Sequence, residues 1–142
     1  MNRATPKIRA IALRLIKYEA YVNNGSTIDA AAMFRASEKL RSPLAAISGI
    51  NGFRSLLSRA LALAGEEVRW LRAVHIKGDG SLEGPTNTSQ LDTEDIAEGE
   101  VVLMAQLLGL LVAFIGKPLT VSLVREAWPK LSLNVLDFDK GN

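Results

Sequence analysis

The run over residues 101–115 is apolar at every position except Gln106 and Gly109, and it continues through Gly116-Lys117-Pro118 into a second segment over 119–124. No other feature constrains the fold as strongly. A bilayer-spanning helix needs about 20 predominantly apolar residues, and shorter runs are more often buried core helices. This run is shorter than that, and Gly116 and Pro118 mark a helix stop followed by a restart. Read as one span through residue 124, it would place Lys117 in hydrocarbon. The acidic lead-in of Asp92, Glu94, Asp95, Glu98 and Glu100 suits a helix N-terminus in water, where carboxylates meet the positive end of the helix dipole. The reading is a buried central helix starting at Asp92 or Thr93 and ending near Ile115, with no membrane span expected. A helix apolar all round must be enclosed on more than one side. The cover comes from other helices of the chain or from a second copy in a homodimer.

At 142 residues the chain is long enough for one domain with a real core, and a single helical domain over 1–142 is expected. Its 48% hydrophobic and 23% charged residues are the balance of a folded globular chain rather than a disordered one. The absence of cysteine excludes a disulfide framework, a thiolate zinc site and a cysteine nucleophile, and it fits a reducing, cytoplasmic setting. The N-terminus leads into an amphipathic stretch with no continuous apolar signal core.

Local chemistry divides the chain into about five helices. Thr5-Pro6 supplies a cap and a first helical residue, followed by Ile8, Ile11, Leu15, Tyr18 and Val22 at helical spacing and by the stop Asn23-Asn24-Gly25. Ser26 or Thr27 caps a second helix running through the Ala30–Met33 run to Leu40. Ser42-Pro43 repeats the cap-plus-proline signal for a third, with Leu44, Ile47, Ile50, Leu57, Leu61 and Ala64 on its core face. Gly49 and Gly52 inside it weaken an unbroken rod and suggest close packing or a local break. Residues 73–91 form a long loop with room for a tiny hairpin about Asp79-Gly80. The fourth helix is the apolar one, and the fifth starts near Pro118 and ends by Trp128, because Pro129 follows. The tail with Leu131, Leu133, Val135 and Phe138 is expected to be an extended arm.

The segment Glu38-Lys39-Leu40-Arg41-Ser42-Pro43-Leu44-Ala45-Ala46-Ile47-Ser48-Gly49 resembles the phosphoacceptor region in the dimerisation helix of sensor histidine kinases, H-E-L-R-[ST]-P-L-x-x-I. The resemblance covers about a tenth of the chain. Glu38 stands where that family has its histidine and Lys39 where it has an acid, and no glycine-rich ATP-binding motif follows. The resemblance therefore implies a helical dimer rather than phosphotransfer.

Candidate chemistry is sparse. His75 is the only histidine and reads as a surface or structural residue, although Asp79 is near enough in sequence to pair with it. The acidic set lacks both the glycine-punctuated calcium loop and a Glu-x-x-His pair, so no metal ligands are assigned. No phosphate-binding glycine motif is present, and no catalytic or cofactor-binding residues are assigned. What stands out is charge. Residues 1–65 carry ten Lys/Arg against three acids, net +7, and residues 66–142 carry seven against twelve, net −5. Arg9, Arg14, Lys17, Arg41, Arg54 and Arg59 form a candidate basic interaction surface. The functional expectation is a non-enzymatic interaction or adaptor module, self-associating or binding a protein partner. A nucleic-acid-associated regulator using the basic half is the alternative.

Overall fold

The computed structural model describes residues 5–22, 34–84 and 91–131. It is mostly helical. Among the described residues, four helices occur in the order α1 (Pro6–Val22), α2 (Arg35–Glu67), α3 (Thr93–Ile115) and α4 (Lys117–Ala127). A short 3-10 turn (Arg69–Ala73) and two strands, β1 (His75–Ile76) and β2 (Leu82–Glu83), lie between α2 and α3. The expected cap at Ser26 or Thr27, the Ala30–Met33 run, the Asn23-Asn24-Gly25 stop, residues 85–90 and the tail beyond Leu131 lie outside the described residues.

Helix ends follow local side-chain chemistry. The Thr5 hydroxyl accepts the Ile8 N–H at 3.2 Å, and Pro6 opens α1 without wasting a donor. Asp92 caps α3 by accepting the Asp95 N–H at 2.7 Å. Gly116 (φ 86°, ψ 162°) ends α3 and begins α4, with Pro118 in the first turn. That backbone region is accessible essentially only to glycine. Thr120, fully buried, donates its hydroxyl at 2.8 Å to the Gly116 carbonyl, which also accepts the Thr120 N–H at 3.1 Å, so the buried hydroxyl is satisfied.

The restart expected at Ser42-Pro43 does not occur, since α2 runs helically through that pair. Pro43 sits in the helix interior, offering no N–H to the Lys39 carbonyl. Leu40 and Leu44 on either side of it are fully buried, so tertiary packing holds both turns in register despite that lost bond. The interruption falls at Gly49, with φ 79° and ψ 161°. A straight helix of 33 residues would span about 50 Å. Yet the rings of Phe34 and Trp70, which flank the two ends of α2, are 6.1 Å apart. Gly49 therefore folds α2 back on itself into two arms. The bend also changes the phase of the apolar face. Ile47 and Ile50, expected in the core, are 51% and 39% exposed, while Leu44, Phe53 and Leu57 are buried.

A Cβ on Gly49 would meet nothing within 4 Å, so substitution there tests backbone conformation alone. Gly49→Ala is expected to cost about 1–3 kcal/mol in urea unfolding. Gly78→Ala, where a Cβ also meets open space and φ is not positive, is expected to stay near wild type. Equal stability of the two variants would show that the bend is not held by the glycine.

The tiny hairpin forms, with His75 opposite Glu83 and Ile76 opposite Leu82. Its turn closes through Gly80 N–H to the Lys77 carbonyl at 2.9 Å and Lys77 N–H to the Ser81 carbonyl at 2.8 Å, with Gly80 at φ 89°. A Cβ on Gly80 would come within 3.1 Å of Ile50 and Phe53, so the turn lies directly on the second arm of α2. Arg41 reaches from the first arm to the Asp79 carbonyl at 3.4 Å. The hairpin thus bridges the two arms across the bend.

α3 occupies the centre, packed by α1, α2 and α4. Residues 102–111, Gln106 included, are all buried within the one chain. By length and composition α3 would suffice to cross a bilayer, but 67% of its most apolar window is enclosed by its neighbours. No second copy is required to cover that stretch.

Candidate functional site

The six basic residues singled out from the sequence are distributed over α1 and both arms of α2, and they differ in their partners. Arg9 on α1 is ion-paired with Glu67 at the end of α2. Arg41 is engaged by Glu38 at 2.8 Å and by Asp79 of the hairpin turn at 3.8 Å. Arg14 and Lys17 are exposed on α1. Arg54 and Arg59 are the pair that the structure brings together, on the second arm of α2. There Asn51, Ser55, Ser58 and Ala62 follow one another at helical spacing and line an open depression together with the two arginines. At about 100° per residue, Arg54 and Arg59 fall on opposite sides of that polar ridge. Among the described residues neither arginine has an ion-pair partner, and the Arg54 Nε is buried with no acceptor. Ile50, 39% exposed, lies one turn before Arg54 on the same arm, and Ile47, 51% exposed, precedes the bend.

His75 is exposed, and Asp79 is held by other groups. The Ser81 hydroxyl and N–H donate to Asp79 at 2.6 and 2.9 Å and hold its carboxyl below the ordinary carboxylate range. Among the described residues, no three His, Asp or Glu side chains come together as a cation site.

A second cluster was not anticipated from the sequence. Of the acidic set before α3, Asp92, Glu94, Asp95 and Glu98 are exposed as expected, but Glu100 is 7% exposed and lies inside the bundle. The Phe34 N–H donates to its Oε2 at 2.7 Å. Burial pushes the Glu100 carboxyl up to about 6, opposed by the Phe34 N–H and by Arg35 and assisted by the negative charge of Glu19. Glu19 on α1 is itself buried. Its Oε2 receives Lys39 Nζ at 2.6 Å and the Trp128 Nε1–H at 2.7 Å, and Lys39 also lies 6.0 Å from the centre of the Trp128 ring. Phe34 has φ 66°, a left-handed conformation costing a non-glycine residue about 1–3 kcal/mol. Trp70 packs against Phe34 and over the bare backbone of Gly99, where a Cβ would come within 2.3 Å of its ring, and its indole N–H donates to the Asp95 carbonyl at 3.0 Å.

Spacing carried a signal for both glutamates. Glu19 lies four residues after Leu15 and eight after Ile11, and Glu100 lies four after Ile96 and three before Leu103, so each stands on the apolar stripe of its helix.

No protein-family model matches the chain, and no curated protein or solved structure is similar to it. Within the segment that resembles the sensor-kinase dimerisation helix, Leu40, Pro43 and Leu44 are buried in this chain's own core. Ile47, the last apolar position of that segment, is 51% exposed.

Proposed function

We propose that this chain is a non-enzymatic interaction module that engages an acidic protein partner through the outer face of α2. The observation that supports this reading is the Arg54–Arg59 depression, whose cations have no ion-pair partner among the described residues, with the exposed Ile50 one turn before Arg54 and the exposed Ile47 just before the bend. Complementary charge steers and orients such a partner, and the isoleucines add apolar contact that a purely electrostatic site lacks. A polyanion reading draws on the whole basic half, but Arg9 and Arg41 are neutralised by Glu67, Glu38 and Asp79. Fewer cations then remain for phosphates, which favours a protein partner.

The test is fluorescence anisotropy with three labelled probes at low and at physiological salt: an amphipathic Glu/Leu helical peptide, a poly-glutamate peptide and a short DNA duplex. The amphipathic peptide is expected to bind tightest, and the double variant Arg54→Glu/Arg59→Glu to weaken it at least tenfold, about 1.4 kcal/mol. Ile47→Ser/Ile50→Ser is expected to reduce its advantage over poly-glutamate. Binding confined to DNA with a steep salt dependence would replace this reading with the polyanion one. Peptide binding untouched by charge reversal, or no binding at low salt, would overturn it.

A further inference from the structure

The two buried glutamates lie at one end of the bundle, and their surroundings treat them differently. Glu19 has a lysine ammonium and an indole N–H on the same oxygen. Glu100 has the Phe34 N–H. Among the described residues, the charges that act on Glu100 are Arg35 from α2, which is exposed and therefore screened by water, and Glu19 from α1, which repels it. Lys39 from α2 is spent on Glu19, and the groups brought to this cluster by the 3-10 turn and the end of α4, Trp70 and Trp128, carry no charge. An ionised Glu100 is thus poorly compensated, while a protonated one fits its site. What Glu100 holds is itself strained. Phe34 is the one non-glycine among the described residues with positive φ, and such a conformation persists only while its surroundings enforce it.

We propose that Glu100 is a proton-operated latch on the start of α2: protonated, it keeps the left-handed Phe34 turn closed against Trp70, and ionised, it lets that turn open to water. Opening hydrates the carboxylate, releases the backbone of Phe34 and uncovers the Trp70 indole. The direction follows from linkage. The folded-state value of about 6 lies above the ordinary 4.5, so the closing contribution is fully present below about 4.5 and is lost as pH rises through about 6. That displacement limits the shift in the closed-to-open ratio to roughly 30-fold.

The latch is tested on the full chain by following the side-chain carboxyl carbon of Glu100 by NMR across this pH range. Exchange of the Phe34 amide, corrected for its intrinsic rate, is measured in parallel. The expected result is a Glu100 titration near 6. Phe34 protection is expected to fall about tenfold as pH rises from about 4.5 to about 6, and to stay flat in Glu100→Gln, whose amide oxygen still accepts the Phe34 N–H. A Glu100 that titrates in the ordinary carboxylate range, or one that titrates high while Phe34 protection does not move, would overturn the proposal. So would a Glu100→Gln protein that keeps the fall in protection. Should that variant not fold, the two wild-type measurements decide the matter by themselves.

Discussion

Leu107→Asp and Leu110→Asp are each expected to abolish cooperative folding, read as loss of the helical circular-dichroism signal and of soluble protein. Both leucines are fully buried at the centre of α3. Truncating a buried leucine costs about 2–5 kcal/mol through lost transfer and residual cavity. The aspartate adds a carboxyl with no partner, which either remains charged in the core or takes up a proton with its pKa raised by about 3–5 units, at about 1.4 kcal/mol per unit. Together these reach the whole stability of a typical small domain, about 5–15 kcal/mol. Phe114→Asp is the matched control, on the same helix but 62% exposed, and it is expected to leave the melting temperature within a few degrees of wild type. Near-normal melting of either leucine variant would show that the middle of α3 is not enclosed.

Trp128 carries the second largest expectation. It is fully buried just beyond α4, its ring faces Lys39, and its indole N–H serves the buried Glu19. Trp128→Ala is expected to cost about 3–5 kcal/mol for the lost ring alone. Withdrawing a hydrogen bond to a charged group adds about 1.5–3 kcal/mol. Trp128→Phe separates the two effects, since it retains most of the ring and removes the donor. Its expected cost in urea unfolding at neutral pH is the smaller figure. Wild-type stability of Trp128→Phe would mean that Glu19 is compensated without the indole N–H.

Much of the fold was legible because its signals are local. Thr5-Pro6, Asp92 and Gly116-Lys117-Pro118 set helix ends through hydrogen bonds and dihedral preferences that involve residues a few positions apart. The same holds for the Lys77–Ser81 turn, whose geometry depends on one glycine with positive φ. Ser42-Pro43 misled for the complementary reason. A serine and proline at a helix start look the same as a serine and proline inside a helix held by Leu40 and Leu44, and the difference lies in what those leucines touch. Gly49 was visible as a weak point, but its role as the fold-back of α2 depends on Phe34 meeting Trp70 from opposite ends of that helix.

The candidate sites divide in the same way. Charge counts located Arg54 and Arg59, but not the pairing of Arg9 with Glu67 or of Arg41 with Asp79, because those acids are distant in sequence. Glu100 was grouped with its exposed acidic neighbours, since a carboxylate near a helix N-terminus is adequately explained by the dipole. Only the arrival of α1 and of the start of α2 makes it a buried group.

By itself, the sequence determined a helical chain built around one dry central helix, with the ends of that helix capped by its own neighbouring residues. Hydrophobic periodicity and capping act over a few residues and are written into their order. The tertiary structure decided that α2 folds back at Gly49 and that α1, α2 and α4 enclose residues 102–111 of α3 without a second copy. It also decided which of the charged residues are neutralised, exposed or buried. Those outcomes depend on contacts between residues far apart in the chain, which become defined only when α3 is surrounded.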